Sequence, residues 1–359
     1  MIEYLFHASV GLAVFVLFGT LVPFSRRPEW WIRGFDFPRP QFVFFGVIAI
    51  AGMLAWPSGR SFPWLWLVIA VLLACVWQTW RILPYTPLWP KEVRDAEESA
   101  ADRSICVLIA NVLQHNRGSQ RLIKIIRDED PDVVLTCEPD EFWEREFRVL
   151  EREYSYTLKQ PQDNCYGMLL HSRLPFEEGQ IRIIVQPETP SMHVRLRLES
   201  GDLVYLHGIH PRPPSPTGVD DSNPRDAELL IVGREIKDRD EPTIVAGDLN
   251  DVAWSHTSRL FQRISGLLDP RKGRGMFNSF NAKVPLLRWP LDHIFHSDHF
   301  TLLEIRRLPA FGSDHFPILI RLALTPECQH EQPEPEPAPE DDSEAREKID
   351  ESRKTAEKG

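Results

Sequence analysis

Residues 4–24, YLFHASVGLAVFVLFGTLVPF, contain no Asp, Glu, Lys or Arg. Wound as an α-helix, a run of that length spans about 30 Å, the thickness of a bilayer's hydrocarbon core. A second apolar run covers 42–57 and a third covers 62–80. In lipid every backbone N–H and C=O must be satisfied within its own segment, so runs of this kind are restricted to helices. The first and third reach spanning length; the second needs flanking residues. The first run lacks a basic leader region and a small-x-small cleavage site, which favours a retained span over a cleaved signal peptide. The expectation for residues 1–83 is a transmembrane region of about three helices (4–24, 42–57 and 62–80). Eight of the eleven tryptophans lie in the first 90 residues, crowding the ends of the runs as interfacial side chains do.

Positive charge in short loops sets orientation. Arg26, Arg27, Arg33 and Arg39 lie between the first two runs, and only Arg60 lies between the second and third. Arg81, Lys91, Arg94 and Arg103 follow the third. The bias puts the amino end outside and the large carboxyl-terminal region on the cytoplasmic side; if the weak middle run does not span, the order inverts and that region lies outside. Five cysteines without CxxC spacing fit reduced thiols on the cytoplasmic side.

Averages conceal this partition. A net charge of −11 and a mean hydropathy of −0.27 describe an ordinary acidic soluble protein. Residues 1–90 carry +3, residues 91–325 carry −7 and the last 34 carry −7. Residues 84–103 gain proline and charge and read as a linker. Residues 326–359, rich in Pro and Glu, have too few apolar side chains to offset ordering entropy and read as a disordered acidic tail.

Residues 104–325 alternate strand and helix signals. Short β-rich runs fall at 105–110, 132–136, 166–171, 181–185, 192–198, 203–209, 243–247, 291–295 and 316–322. Helical periodicity marks 119–129 and 225–238. This pattern fits packed sheets flanked by helices. Polar residues stand at the strand ends: Asn111 after ICVLIA, Glu138 after DVVLT, His210 after LVYLHGI, and Asp248 and Asn250 after TIVAG. Asp292 begins LDHIF, and Asp314-His315 precede the last strand. Asn and Asp also end strands simply as turn formers. His207 competes with His210, and His293 and His296 compete with Asp292, for the position facing a site.

With ANVLQHN, PDVVLTCEPD, HGIHPRPP, VAGDLND, PLDHIFHSD and GSDHFPILI in this order, residues 104–322 resemble the endonuclease/exonuclease/phosphatase superfamily. The three-run amino end and the ANVL opening look most like its bacterial membrane-anchored branch. The resemblance implies an α/β (α+β) four-layer sandwich of two packed mixed sheets flanked by helices, preceded by three transmembrane helices. It implies a phosphoesterase dependent on Mg²⁺ (or Mn²⁺), with Asn111, Glu138 and Asp314 as metal ligands. Catalytic roles fall on His210, Asp248, Asn250, Asp292 and His315, with Asn250 and His210 also contacting substrate. Asp248 would orient or deprotonate water, and Asp292 would fix His315. Several nuclease members carry an Asp two residues after the first Asn, where this chain has Leu113. That departure puts a nuclease-type arrangement in doubt.

Two further features invite a role. Asn116 and Trp254 fall at places characteristic of the branch, where packing explains them equally well. Arg271-Lys272-Gly273-Arg274 is either a phosphate-contacting loop or a solvated turn. The acidic balance of residues 91–325 argues against duplex DNA, which is held through clustered Lys and Arg. A membrane anchor favours a substrate at the bilayer by raising effective concentration there. The expected partners are the lipid bilayer and a phosphate ester, lipid-linked or otherwise membrane-proximal. Nucleic acid is disfavoured, and no obligate protein partner is evident. The expected location is a bacterial inner membrane, as a multi-pass protein. A membrane-tethered endonuclease and a non-catalytic scaffold are the alternatives.

Overall fold

The computed structural model describes residues 2–56, 61–97, 103–215 and 221–356. The chain divides into two compact units. The first comprises residues 1–89 together with 214–222. Its helices are α1 (Ile2–Leu21), α2 (Trp30–Arg33), α3 (Arg39–Leu54) and α4 (Phe62–Ile82). Helices α1, α3 and α4 bury Ala13, Val16, Phe42, Ala49, Met53 and Val71 among themselves, while Leu5, Phe15, Phe44, Leu73 and Val76 point outward. An apolar exterior around an apolar interior is the pattern of helices solvated by lipid. Segments Glu3–Ser25 and Phe62–Tyr85 are long and apolar enough to cross a membrane. A third candidate, Trp30–Asp36 joined to Arg39–Leu54, is bent by 70° at the join. The described residues therefore supply two helices long and apolar enough to cross a membrane, or three if the bent pair counts as one. At the bend, Arg39 donates to Asp36 at 2.5 Å and to Gln78 Oε1 at 2.7 Å, so the cation is paired inside the bundle.

The second unit holds two mixed sheets. Strands β1 (Ser104–Asn111), β2 (Val133–Cys137), β3 (Tyr156–Gln160) and β4 (Met168–Ser172) join β10 (Phe300–Arg307) and β11 (Ile318–Leu324) in the order β10-β11-β1-β2-β4-β3. Strands β5 (Phe176–Ile183), β6 (Pro190–Arg197), β7 (Leu203–Gly208), β8 (Thr243–Asp248) and β9 (Asp292–His296) form the second sheet in sequence order. Alternation along β1 shows how the layers are built. Ile105, Val107 and Ile109 enter the core between the sheets. Cys106, Leu108 and Ala110 face α5 (Ser119–Glu129) and α6 (Glu141–Phe147). On the second sheet, Val245 and Phe295 pack against α7 (Asn223–Lys237) and α8 (His256–Ser265).

Each sheet contains one parallel pair, β1/β2 joined through α5 and β7/β8 joined through α7. The carboxyl ends of such pairs are where α/β sheets present ligand-binding side chains. Antiparallel β9 begins at that edge, with Asp292 in register opposite Asp248. In this way the two crossovers bring strand-end residues from distant parts of the chain to one rim.

All nine expected strands are present, and β3, β10, α6 and α8 are additional. Two expectations are corrected. The stretch taken for a disordered tail contains α9 (Asp341–Ala356). Ala345 and Ile349, four residues apart on one face, are buried against Ala227, Leu230, Leu260 and Ile264. Its charges meet complementary ones: Asp341 with Arg263 at 2.6 Å, Glu344 with His256 at 2.6 Å and Lys348 with Asp226 at 2.9 Å. Composition missed this because the opposing surface supplies both the apolar patch and the countercharges. The linker expected at 84–103 is likewise structured in part. Val93 is fully buried in the inter-sheet core, and Ala96 N–H donates to Leu302 O at 2.8 Å. Residues 98–102 lie outside those described.

Candidate active site

Asp248 is the hub. It ends β8 after Gly247, whose φ of +145° and contact with the Ile209 carbonyl leave no room for a Cβ. Asp248 Oδ1 accepts from Asn250 N–H at 2.9 Å, so the loop turns on the carboxylate itself. Asp248 Oδ2 accepts from Asn111 Nδ2 at 2.9 Å and faces His315 Nε2 at 3.6 Å and His210 Nε2 at 3.9 Å. Burial pushes its carboxyl above the usual range, and the neighbouring His315 pulls the other way.

On one side, Asn111 Nδ2 also donates to Glu138 Oε1 at 2.8 Å. Glu138 leaves β2 with φ of +64°, and its carboxyl is raised by burial despite the Asn111 bond. Opposite, His315 Nδ1 meets Asp292 Oδ2 at 2.7 Å with both side chains buried. Burial lowers the affinity of His315 for its proton. The carboxylates of Asp292 and Asp248 outweigh that effect and lift its pKa to about 10. The imidazole therefore stays cationic at neutral pH. For His210, burial is the largest influence and holds it below the ordinary range, so it is neutral.

Not every nominated residue joins the cluster. Asn250 has φ of +52° and commits one amide hydrogen to the Pro211 carbonyl at 3.0 Å. Asp314 sits at the edge, half-buried, with Ser313 Oγ 3.4 Å from its Oδ1. Among the described residues, the His, Cys, Asp and Glu side chains that form a group able to hold a metal ion are Asp248, Asp292 and His315, whose ligand atoms all lie within 4.8 Å of one another. This group differs from the expected trio of Asn111, Glu138 and Asp314. The competition among histidines is resolved by their contacts. His207 pairs with His193 at 2.6 Å, His293 with Arg271 and the Asp251 carbonyl, and His296 with the Ser297 carbonyl. The loop Arg271–Arg274 is neither solvated nor open to phosphate: Arg271 is clamped by Asp269, Lys272 by Glu92 and Arg274 by Asp95. Trp254 is core, and Asn116 braces its loop by bonding Val112 O and Gly118 N–H.

Several supporting residues were not nominated from the sequence. Arg225, 2% exposed, donates to the Asn250 carbonyl at 2.7 Å from inside α7. Ser279 Oγ accepts from the N–H of Asp292 at 3.0 Å, and the Phe280 ring lies 5.0 Å from that of His315. Ser313, inside the GSDH motif, donates to the Asn111 carbonyl at 2.8 Å and ties the two ends of the site together.

The donor set fits a hard divalent cation. Glu138, Asp248 and Asp292 offer carboxylate oxygens, as Mg²⁺ prefers. Asp292 Oδ1 is buried without a hydrogen-bond partner among the described residues. Such an atom is costly unless something binds it.

Residues 108–315, more than half of the chain, match the model of the Endonuclease/Exonuclease/phosphatase family. No curated protein matches the chain by sequence. Among solved structures it is similar to D. rerio TDP2 complexed with single strand DNA product, at 19% identity and a TM-score of 0.51, covering 61% of this chain and 98% of that one. It is also similar to the human Nocturnin catalytic domain with bound sulfate anion, at 18% identity and a TM-score of 0.51, covering 62% of this chain and 95% of that one. The fold, the buried Asp248–Asp292–His315 group and the family match lead to one assignment: the chain belongs to the endonuclease/exonuclease/phosphatase family, as a hydrolase of phosphate esters.

Proposed function

We propose that this protein is a membrane-anchored, divalent-metal-dependent phosphoesterase acting on a lipid-linked or other membrane-proximal phosphate. The observation that carries the chemistry is the buried relay Asp292–His315–Asp248, at 2.7 and 3.6 Å. The apolar helices of the first unit support the location, with the catalytic unit on the cytoplasmic side by the Lys/Arg bias.

Asp248, its carboxyl raised by burial, orients an attacking water and takes its proton. His315, held by Asp292, presents a charged Nε2–H to a phosphoryl oxygen, where negative charge grows in the transition state. His210, on the other side of Asp248, offers a second donor. Asn250 acts mainly through its backbone, fixing the loop that carries Asp248, with one amide hydrogen left for phosphate. Glu138 and Asn111, with Asp248 and Asp292, would hold Mg²⁺ or Mn²⁺, and Asp314, at the rim, would add a further carboxylate oxygen to that set. A bound ion would neutralise phosphoryl charge and stabilise the leaving oxygen. Every other step uses groups of this chain, and water attacks directly.

A membrane-tethered endonuclease is the second reading, favoured by the fold shared with a TDP2 structure complexed with single strand DNA product. The test is the full chain assayed on plasmid, phospholipid, lipid pyrophosphate and a soluble diester, with Mg²⁺ or EDTA. Hydrolysis of a lipid phosphate is expected, lost in EDTA and reduced about 10²–10⁴-fold in Asp248→Asn and in His315→Ala. Activity surviving both substitutions overturns the site, and plasmid nicking without lipid hydrolysis overturns the substrate.

A further inference from the structure

Between Phe280 and Trp289 the chain makes a loop, Asn281-Ala282-Lys283-Val284-Pro285-Leu286-Leu287-Arg288, containing two cations and no acid. Its base is built into the active site. Ala282 N–H donates to the Asp314 carbonyl at 2.6 Å, and Phe280 bridges His315 and Trp289. The tip is closed by Leu287 N–H on Val284 O at 3.0 Å and braced by Lys283 N–H on Asn281 Oδ1 at 2.8 Å. On this ordered turn Leu286 is 83% exposed, with Leu287 at 45% and Val284 at 41%.

A single exposed leucine means little, since much of any surface is apolar. Here the distribution is informative. Among the described residues from Pro90 onward, six large hydrophobic side chains are exposed, and Val149, Tyr156 and Ile183 stand apart from one another in the sequence. The other three fall within four residues, at the rim of the site, between Lys283 and Arg288. The aliphatic tip is bordered by the exposed Lys283, and the half-buried Arg288 braces the loop through the Asn281 and Ala282 carbonyls. This combination matches a bilayer surface, where apolar side chains enter the acyl boundary and cations meet anionic headgroups. A nucleic-acid strand would gain from stacking rings and basic side chains at the tip, and aliphatic leucines supply neither.

We infer that the loop Lys283–Arg288 is a lipid-docking loop that seats the active site on an anionic bilayer surface and admits the headgroup of a membrane-resident phosphate ester. The inference rests on the membrane-proximal reading of the substrate and deepens it. Seating the rim on the headgroup layer presents a phosphate to His315 and Asp248 without drawing the lipid out of the membrane.

Two readouts test it on the full chain. Leu286→Asp/Leu287→Asp changes exposed positions outside the catalytic cluster. It is expected to lower kcat/KM on a lipid phosphate in vesicles about tenfold or more, by removing apolar insertion, and to leave a soluble diester within about twofold. Equal loss on both substrates, or no loss on lipid, overturns the inference. The second readout needs no turnover. In a Cys165→Ser/Cys328→Ser background, Leu286→Cys carries an environment-sensitive fluorophore, and Glu199→Cys, on an exposed turn, is the control. In vesicles of phosphatidylcholine with phosphatidylglycerol, the Leu286 label is expected to shift to the blue and to be quenched by brominated acyl chains, unlike the control. A Leu286 label as wet as the control overturns the loop even if lipid is hydrolysed. A buried label with no lipid hydrolysis keeps the loop and overturns the substrate.

Discussion

His315 shows how much a single side chain depends on its neighbours. Burial would leave it neutral, but two carboxylates within 3.6 Å hold the proton to about pH 10. Because the folded pKa lies above the ordinary imidazole value near 6.5, the stabilisation is complete below that value. It is lost as pH rises through about 10. Stability is therefore expected to fall between about pH 7 and 10, and the slope should shrink in Asp292→Asn. Urea denaturation at several pH values measures this, and an unchanged slope would exclude the pair as its source. The same scale marks the limit of the sequence. GSDH and AGDLN identified Asp248 and His315, but nothing in the string said that Asn250 would turn its amide to Pro211 or that Arg225 would reach its carbonyl. Those contacts depend on left-handed backbone at Asn250 and on where α7 lies.

Among the elements, α9 was the least legible and has the clearest consequence. Lys348 reaches Asp226, a fully buried carboxylate, at 2.9 Å, and Asp226 also accepts from Arg225 at 2.9 Å. Arg225 in turn holds the Asn250 carbonyl beside Asp248. Lys348 adds a second partner to a carboxylate that Arg225 already pairs, and a hydrogen bond to a charged group contributes about 1.5–3 kcal/mol. Lys348→Met is expected to lose roughly that much in urea denaturation and to lower kcat more than it raises KM, with Lys348→Arg recovering part of both. A Lys348→Met chain with wild-type kcat would separate the helix from the site. Strands were easier to read than α9 because short runs of apolar and β-branched residues, such as ICVLIA and TIVAG, mark them locally. Helix α7 was legible at 225–238 even though its buried face carries Arg225, Asp226 and Glu228 among the apolar residues.

At the scale of the molecule, the two units differ in what they expose. The first exposes Leu5, Phe15, Phe44 and Leu73, which water would penalise. The full chain is expected to stay with membranes after alkaline carbonate extraction, whereas residues 90–359 expressed alone are released. Release of the full chain would sink the anchor. The sequence by itself determined the apolar helices, the strand content and the order of the catalytic motifs, because hydropathy and alternation are local and survive being read one window at a time. The tertiary structure decided which polar residues meet, since two βα crossovers bring residues 111, 138, 248, 292 and 315 to one rim. It also decided that an acidic tail becomes a helix, because the countercharges and apolar patch that order it lie about a hundred residues earlier in the chain.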